Sequence, residues 1–204
     1  PSSVRAVLSA RIDRLQPVEK RLLQAAATIG NSFSLPLLCA MTDDMAPEAV
    51  HRHVRHLAEA GLIVETTLYP EPACAFKHAL TQEAAYEALP QGRRRHYHAL
   101  TVAAIEALYP TRLAEHVEAL AYHAGRGEVW DRLARYARIA GQRAAAQSAY
   151  RAAAQHYEQA IVGFDHLEQT EAVVAESIRT RFELRIGASR HRAARFLDPA
   201  TSWP

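Results

Sequence analysis

Histidine is the residue type whose number and spacing in this chain most directly suggest chemistry. The sequence has eleven histidines; His51, His53 and His56 are close neighbours, and His96 and His98 form a second pair. Neutral imidazoles bind transition metals, usually together with cysteine or carboxylate ligands. On a helix, however, residues two apart point to opposite sides, and neither group has an acidic or cysteine partner at ligand spacing. The sequence therefore predicts solvated helix faces here and no metal site.

Two cysteines and a few glycines are the other residues with chemical potential. Cys39 and Cys74 form no CxxC pair, and neither has a histidine placed by the sequence as its base, so both are predicted to be buried and reduced. The chain contains no GxSxG motif, and its one close glycine pair, Gly125 and Gly127, has no lysine after it. The sequence thus predicts no catalytic residues, no enzyme activity and no cofactor bound by this chain alone.

The elements that would position these side chains differ between the two halves of the chain. The first half contains apolar stripes of helical period that end at proline or glycine, together with two short runs that are typical of strands. Helices are predicted over residues 1–15, 17–30, 35–41, 47–61 and 78–89, and a β-hairpin over 62–69 and 73–77. Three helices followed by a hairpin, with Gly61 leading directly from helix into strand, is the winged-helix arrangement.

DNA binding is a common function of a winged helix. The recognition helix would cover residues 48–60 and would offer Arg52, Arg55 and His56 to a major groove. DNA affinity depends mainly on the neutralisation of phosphates, yet residues 1–92 carry 8 basic and 10 acidic side chains. This balance favours a winged helix that contacts protein. A transcription regulator, with a DNA-binding winged helix and a helical sensor domain, is the alternative interpretation.

From Arg93 onward the sequence carries helix signals only. The chain has 41 alanines, the strongest helix formers, and the apolar stripes of this half are separated by proline or glycine. Consecutive helices of this kind predict a solenoid of helical hairpins. The clearest pair contains small, small, aromatic and small residues at the spacing found at the helix crossing of a tetratricopeptide repeat. These are Gly141, Ala153, Tyr157 and Ala160.

The predicted architecture is a mainly α protein: a winged-helix domain with a small β-hairpin, followed by a tetratricopeptide-like α-helical solenoid. A helical linker and the winged helix cover residues 1–92, helical hairpins cover 93–187, and an irregular or frayed tail covers 188–204. Residues 93–204 carry 16 basic and 12 acidic side chains, so the boundary at Gly92 also separates net charges of −2 and +4. No run approaches the roughly 20 apolar residues of a membrane span, and the first residues contain no apolar leader segment, which predicts a cytoplasmic protein.

Six segments carry a resemblance to a known family. They are residues 1–15 (PSSVRAVLSARIDRL), 19–30 (EKRLLQAAATIG), 57–63 (LAEAGLI), 76–86 (FKHALTQEAAY), 123–131 (HAGRGEVWD) and 148–160 (SAYRAAAQHYEQA). In order and spacing they resemble the bacterial STAND-type signalling ATPases over residues 1–187. The likeness is greatest to the subgroup in which a class III adenylate/guanylate cyclase domain precedes an AAA-like ATPase and a tetratricopeptide array.

This resemblance implies a non-catalytic regulatory segment whose nucleotide-binding core, and any cyclase domain, lie upstream of residue 1. In such proteins the winged helix folds back on the ATPase core, and a histidine at the start of its final helix reaches the β-phosphate of bound ADP. His78 occupies the matching position. The implied partners are the ATPase core of the same protein, which holds ATP or ADP, and an unknown protein or effector on the helical repeats. Neither nucleic acid nor a membrane is an expected partner.

Overall fold

The computed structural model describes residues 2–42, 44–69 and 71–196. Over these residues the chain forms ten α-helices and one small antiparallel sheet of three strands. Its internal contacts divide it into two compact units, which meet in sequence between Pro110 and Thr111. The prediction of a mainly α protein with a small amount of β structure is confirmed.

The first unit combines helices with the sheet. Its elements in chain order are α1 (Ser2–Asp13), α2 (Pro17–Ile29), β1 (Ser32–Ser34), α3 (Leu35–Ala40), α4 (Pro47–Glu59), β2 (Ile63–Thr67), β3 (Ala73–Phe76), α5 (Ala79–Glu87) and α6 (Gln91–Leu108). The strand order is β1-β3-β2, and both pairings are antiparallel, with Phe33 opposite Cys74 and Val64 opposite Ala75. Strands β2 and β3 form the predicted hairpin. Strand β1 is an additional element, because three residues are too few to show an alternating pattern.

Local sequence sets several helix ends in this unit. Pro17 and Pro47 open α2 and α4, where a missing backbone amide breaks no helical hydrogen bond. The Oγ atom of Ser34 accepts a hydrogen bond from the Leu37 amide at 3.2 Å and so caps α3. After α4, Gly61 adopts a φ of +69°, in the left-handed region that glycine tolerates best. The chain can therefore leave α4 and enter β2 within a few residues.

The core of the first unit lies where α2 and α4 meet the sheet. Leu22 and Leu23 of α2 have no exposed surface, and Leu57 of α4 is 2% exposed. The rings of Phe33 and Phe76, on neighbouring strands, pack edge to face with their centroids 5.9 Å apart. Aromatic pairs in this arrangement add a favourable quadrupole interaction to the burial of apolar area.

Helix α6 belongs to the first unit, although the sequence places a domain boundary at Gly92, at its start. It packs on α2 and α3. Its Thr101 is fully buried, and the Oγ1 atom of Thr101 lies 3.4 Å from Sδ of Met41, while Ile105 is 3% exposed. Of the residues that suggest a boundary, Pro90 is the N-cap of α6, and Gly92 and the three arginines that follow lie in its first turns.

The second unit is entirely helical over its described residues. It consists of a 3-10 turn (Leu113–His116), α7 (Val117–Gly127), α8 (Trp130–Ala146), α9 (Tyr150–Asp165) and α10 (Glu171–Phe196). Its main packing is between consecutive helices: α7 with α8, α8 with α9, and α9 with α10. This agrees with the predicted succession of helices.

Helices α8 and α9 approach each other closely at two glycines. A Cβ atom built on Gly141 would lie 2.6 Å from the Tyr157 ring, and one built on Gly163 would lie 2.6 Å from the backbone nitrogen of Ala134. Ala153 and Ala160, which the sequence places at this crossing, have no exposed surface. Gly163 is a further contact that the repeat spacing does not include.

Helix α10 continues to Phe196, beyond Gly187, where the apolar stripe of the sequence ends and an irregular tail is predicted. Residues 197–204 of that tail lie outside the described residues. The predicted stripe of the last helix is largely uncovered. Its members are Val174, Ile178, Phe182 and Ile186, which are 38%, 48%, 61% and 53% exposed. Within the described ranges, no helix combines the length and the apolar character that a membrane span requires.

Candidate functional site

His78, the predicted nucleotide-sensing residue, lies between β3 and α5. It is the N-cap of α5, its backbone is extended (φ −140°, ψ 135°), and it is exposed. Among the described residues its side chain makes no capping hydrogen bond. The exposed Lys77 precedes it, and the first turn of α5 consists of uncharged residues. Backbone amides and the helix dipole favour an anion at such an end, and both neighbouring side chains can donate to one.

Backbone and side-chain contacts fix the position of His78. The amide of Lys77 donates to the carbonyl of Leu62 at 3.1 Å, just before β2. On the other side, Nε2 of Gln82 in α5 donates to the carbonyl of Ala27 in α2 at 2.7 Å. The backbone at His78 is therefore anchored both to the hairpin and to α2. A side chain can meet a ligand reproducibly only from an anchored position of this kind.

The residues of the DNA-binding alternative lie on α4, but they do not form one basic surface. Arg52 and Arg55 are exposed, and Glu48 and Glu59 are exposed at positions that place them on the same helical face. His56, four residues after Arg52, lies at the edge of this face, where its Nδ1 atom is 3.3 Å from Oε1 of Glu19. A face with two arginines and two glutamates has little net attraction for a phosphate backbone.

The other histidines are not all on solvated faces as the sequence predicts. His51 and His96 are exposed, whereas His98 is 1% exposed and its Nε2 atom is 3.0 Å from Oη of Tyr86. In the second unit His123 is 4% exposed, and burial lowers its pKa to about 4. Helical periodicity alone does not separate these positions, because burial depends on which neighbouring helix covers each face.

Glu19, His53 and His56 form a cluster that sequence reasoning missed. Their ligand atoms lie within 4.8 Å of one another, with His53 Nδ1 at 3.7 Å and His56 Nδ1 at 3.3 Å from Oε1 of Glu19. Glu19 is on α2 and the two histidines are on α4, so the acidic partner absent from the local sequence comes from another helix. The packing of α2 on α4 creates the cluster.

The sequence predicts two buried thiols, and the structure buries one of them. Both are free thiols; Cys74 is buried, and Cys39 is partly exposed. Desolvation, with a contribution from Glu65, raises the pKa of Cys74 to about 11. Desolvation, with a contribution from Glu48, also raises the pKa of Cys39. Because the thiolate is the reactive form, these environments oppose nucleophilic chemistry at neutral pH.

The second unit has a cavity of about 400 Å³ between α7, α8 and α9. Its walls combine apolar and aromatic groups with polar ones, among them Tyr122, Arg126, Trp130 and Gln159. The Trp130 ring stacks on His166, with centroids 3.9 Å apart and planes 15° apart. A concave surface of this composition suits a peptide or a small effector.

Comparison with known proteins gives a distant relationship. No family model matches the chain, and no solved structure matches it. An uncharacterized protein of Rhizobium meliloti (strain 1021) is 29% identical over 163 residues, which is 79% of this chain and 16% of that protein. The chain thus spans about one-sixth of the length of the relative that it matches.

Proposed function

We propose that this chain is a non-catalytic regulatory segment of a STAND-type signalling ATPase, of the kind associated with adenylate cyclases. In this proposal its first unit is a winged helix that responds to the ATP or ADP state of an ATPase core. Its second unit is the beginning of a tetratricopeptide-like array that binds a protein partner or effector. The segment works in the cytoplasm, and the nucleotide belongs to the core.

The order and pairing of elements in the first unit support the winged-helix assignment. Helix α2, strand β1, helices α3 and α4, and the β2–β3 hairpin follow one another, and β1 pairs with β3 of the hairpin. Helix α4 occupies the place of a recognition helix, directly before the hairpin. Its charge-balanced outer face, with Arg52 and Arg55 beside Glu48 and Glu59, supports a contact with protein rather than DNA.

The observation that carries the proposal is the exposed position of His78 at the N-terminus of α5. An imidazole N–H and the adjacent backbone amides can together donate to a β-phosphate. When the core holds ADP, this contact favours the closed arrangement. Exchange to ATP removes the contact and shifts the population towards the open arrangement.

The close crossing of α8 and α9 supports the repeat assignment. Gly141 faces Tyr157, and Ala153 and Ala160 are fully buried at the spacing of a tetratricopeptide hairpin. Two features of this unit offer binding surface: the cavity between α7, α8 and α9, and the uncovered apolar stripe of α10. Arrays of this type commonly bind partners on such surfaces.

Release of ADP tests the nucleotide-sensing role. In a full-length protein that joins an ATPase core to this chain, His78→Ala should speed the dissociation of a fluorescent ADP analogue roughly ten-fold or more, because it removes a hydrogen bond to a charged group. The matched control is His51→Ala, which removes an exposed imidazole from α4. An unchanged ADP dissociation rate in His78→Ala would refute the sensing role.

The DNA-binding alternative predicts a different result. If the unit is part of a transcription regulator, the chain should retard random duplex DNA at low salt, and Arg52→Ala with Arg55→Ala should abolish that retardation. If no complex forms at low salt, the regulator interpretation is excluded and the protein-contact interpretation of α4 stands.

A further inference from the structure

We propose that Glu19, His53 and His56 bind a divalent transition-metal ion, with Zn²⁺ the best match to this ligand set. Two imidazole nitrogens and one carboxylate oxygen meet here from two helices. A tetrahedral Zn²⁺ with bonds of about 2.0–2.1 Å holds its ligand atoms roughly 3.3 Å apart. The distances from Glu19 Oε1 to the two Nδ1 atoms, 3.3 and 3.7 Å, need only a small side-chain adjustment to match this spacing.

Burial at the cluster is the second observation that points to an ion. The Glu19 side chain is only 11% exposed, and the Nδ1 atom of His53 is buried with no hydrogen-bond partner in the described part of the chain. A simple hydrogen bond between His56 and Glu19 accounts for one imidazole and leaves His53 Nδ1 unsatisfied. A metal ion bound by all three groups satisfies every one of these atoms.

The exposure of His56 supplies an entry path. Its side chain is 52% exposed, whereas those of Glu19 and His53 are 11% and 18% exposed, so the cluster opens to solvent on one side. Three protein ligands and an open fourth position for water is an arrangement that Zn²⁺ commonly adopts. Imidazole ligands favour Zn²⁺ and its transition-metal neighbours over Mg²⁺ and Ca²⁺, which prefer oxygen ligands.

The position of the cluster would let a bound ion link two helices. Glu19 is in the first turn of α2, and His53 and His56 lie three residues apart on α4. An ion held by all three would connect these helices directly. The unfolded chain does not hold the three ligands together, so the ion would bind the folded unit preferentially. It would therefore stabilise the first unit by an amount that rises with the logarithm of the free metal concentration above Kd.

Metal titration of the full chain tests this site. The protein, freed of metal with EDTA and desalted, should bind one equivalent of Zn²⁺ by calorimetry, and its melting temperature should rise with free Zn²⁺ but not with Mg²⁺. His56→Gln, which changes a half-exposed side chain, and Glu19→Gln should each weaken Zn²⁺ binding at least ten-fold. The control is His51→Gln, which alters an exposed histidine of the same helix outside the cluster and should leave the affinity unchanged.

Two results would overturn the proposal. One is the absence of saturable binding by the wild-type chain at micromolar Zn²⁺. The other is binding that both His56→Gln and Glu19→Gln retain, which would place the ion at histidines elsewhere. If Glu19→Gln fails to fold, as judged by circular dichroism, the His56→Gln variant decides between these outcomes on its own.

Discussion

The two units of this chain differ in how far apart in the sequence their contacting residues lie. In the first unit, β1 at Ser32–Ser34 pairs with β3 at Ala73–Phe76, and α1 packs on α5. In the second unit the main packing joins each helix to the next one along the chain. The first unit therefore forms only when distant segments come together, whereas the second can be built one helix at a time.

This difference also determines where chemistry can arise. The candidate metal ligands come from α2 and α4. His78 lies between Lys77, whose amide donates to the Leu62 carbonyl, and Gln82, whose side chain donates to a carbonyl of α2. Non-local packing thus assembles the polar sites of the first unit. In the second unit, stacked helices instead form binding surfaces between neighbours, such as the cavity between α7, α8 and α9. We expect the first unit to lose stability as a whole and the second to respond gradually along its length.

The largest expected effect is that of Leu22→Ala in the first unit. Leu22 has no exposed surface, and large-to-small substitutions at such positions cost about 2–5 kcal/mol. Because α2 packs on α4, α5, α6 and the sheet, hydrogen exchange should accelerate throughout the first unit, including the β2–β3 hairpin. Peptides of the second unit should keep their protection.

The control for this substitution is Val7→Ala in α1. Val7 is 60% exposed, so its truncation should change stability by less than about 0.5 kcal/mol. If Leu22→Ala accelerates exchange only within α2, the first unit is not the cooperative body that its long-range contacts indicate.

The next effect, Gly163→Ala, tests the second unit. The added methyl would lie 2.6 Å from the Ala134 nitrogen and 2.9 Å from the Trp130 carbonyl oxygen, both backbone atoms that cannot rotate away. Overpacking of this kind costs about 1–3 kcal/mol. Exchange should accelerate most in α8 and α9, less in α7 and α10, and not in the first unit.

Substitutions at two other glycines provide comparisons for Gly163→Ala. At Gly141 the added methyl meets the buried Tyr157 ring at 2.6 Å. A side chain has more freedom to move than backbone, so Gly141→Ala should destabilise the unit but cost less than Gly163→Ala. At Gly125 the nearest atom is Cδ1 of Leu133 at 3.5 Å, an ordinary contact, and the substitution should be close to neutral. Equal costs at all three glycines would contradict the close approach of α8 and α9.

The contrast between distant contacts in the first unit and local contacts in the second also explains which parts of the structure the sequence predicts. Helix ends set by Pro17, Pro47 and Gly61 are visible locally, and the apolar stripes of the second unit follow directly from helical period. The hairpin is predicted from two short runs. The unit to which α6 belongs is harder to predict, because its Thr101 contacts Met41, which lies 60 residues earlier in the sequence.

The two candidate sites also differ in how well local sequence predicts them. His78 is predicted from a resemblance carried by neighbouring residues, so its location at the start of α5 follows from local sequence. The cluster of Glu19 with His53 and His56 depends on two helices that no local spacing connects. Gly163 is likewise missed, because the identity of the atoms it approaches depends on the crossing of α8 and α9. Two sequence signals point to the cluster. His53 and His56 are three residues apart, which places them on one face of a helix. The acidic residue at the start of α2 by itself indicates only a helix start.

The last expected effect appears only in acid and concerns the second unit. Burial lowers the pKa of His123 in α7 to about 4, below the ordinary value of about 6.5 for histidine. Between these values the unfolded chain binds a proton that the folded unit does not, so stability falls as the pH drops from about 6.5 towards 4. The loss at pH 5 should be roughly 2 kcal/mol. It should appear first as faster hydrogen exchange in α7 and α8, which pack on each other.

A His123→Gln variant isolates this effect, because glutamine does not titrate. Between pH 7 and pH 5 the second unit of this variant should lose less stability than the second unit of the wild type. This holds whatever the substitution costs at pH 7. Peptides of the first unit should show the same acid response in both proteins, since His123 belongs to the other unit. If the acid response of α7 and α8 is equal in wild type and variant, the buried imidazole does not control it. If the difference also spreads to the first unit, the two units do not unfold independently, and the contrast between them is one of architecture and not of stability.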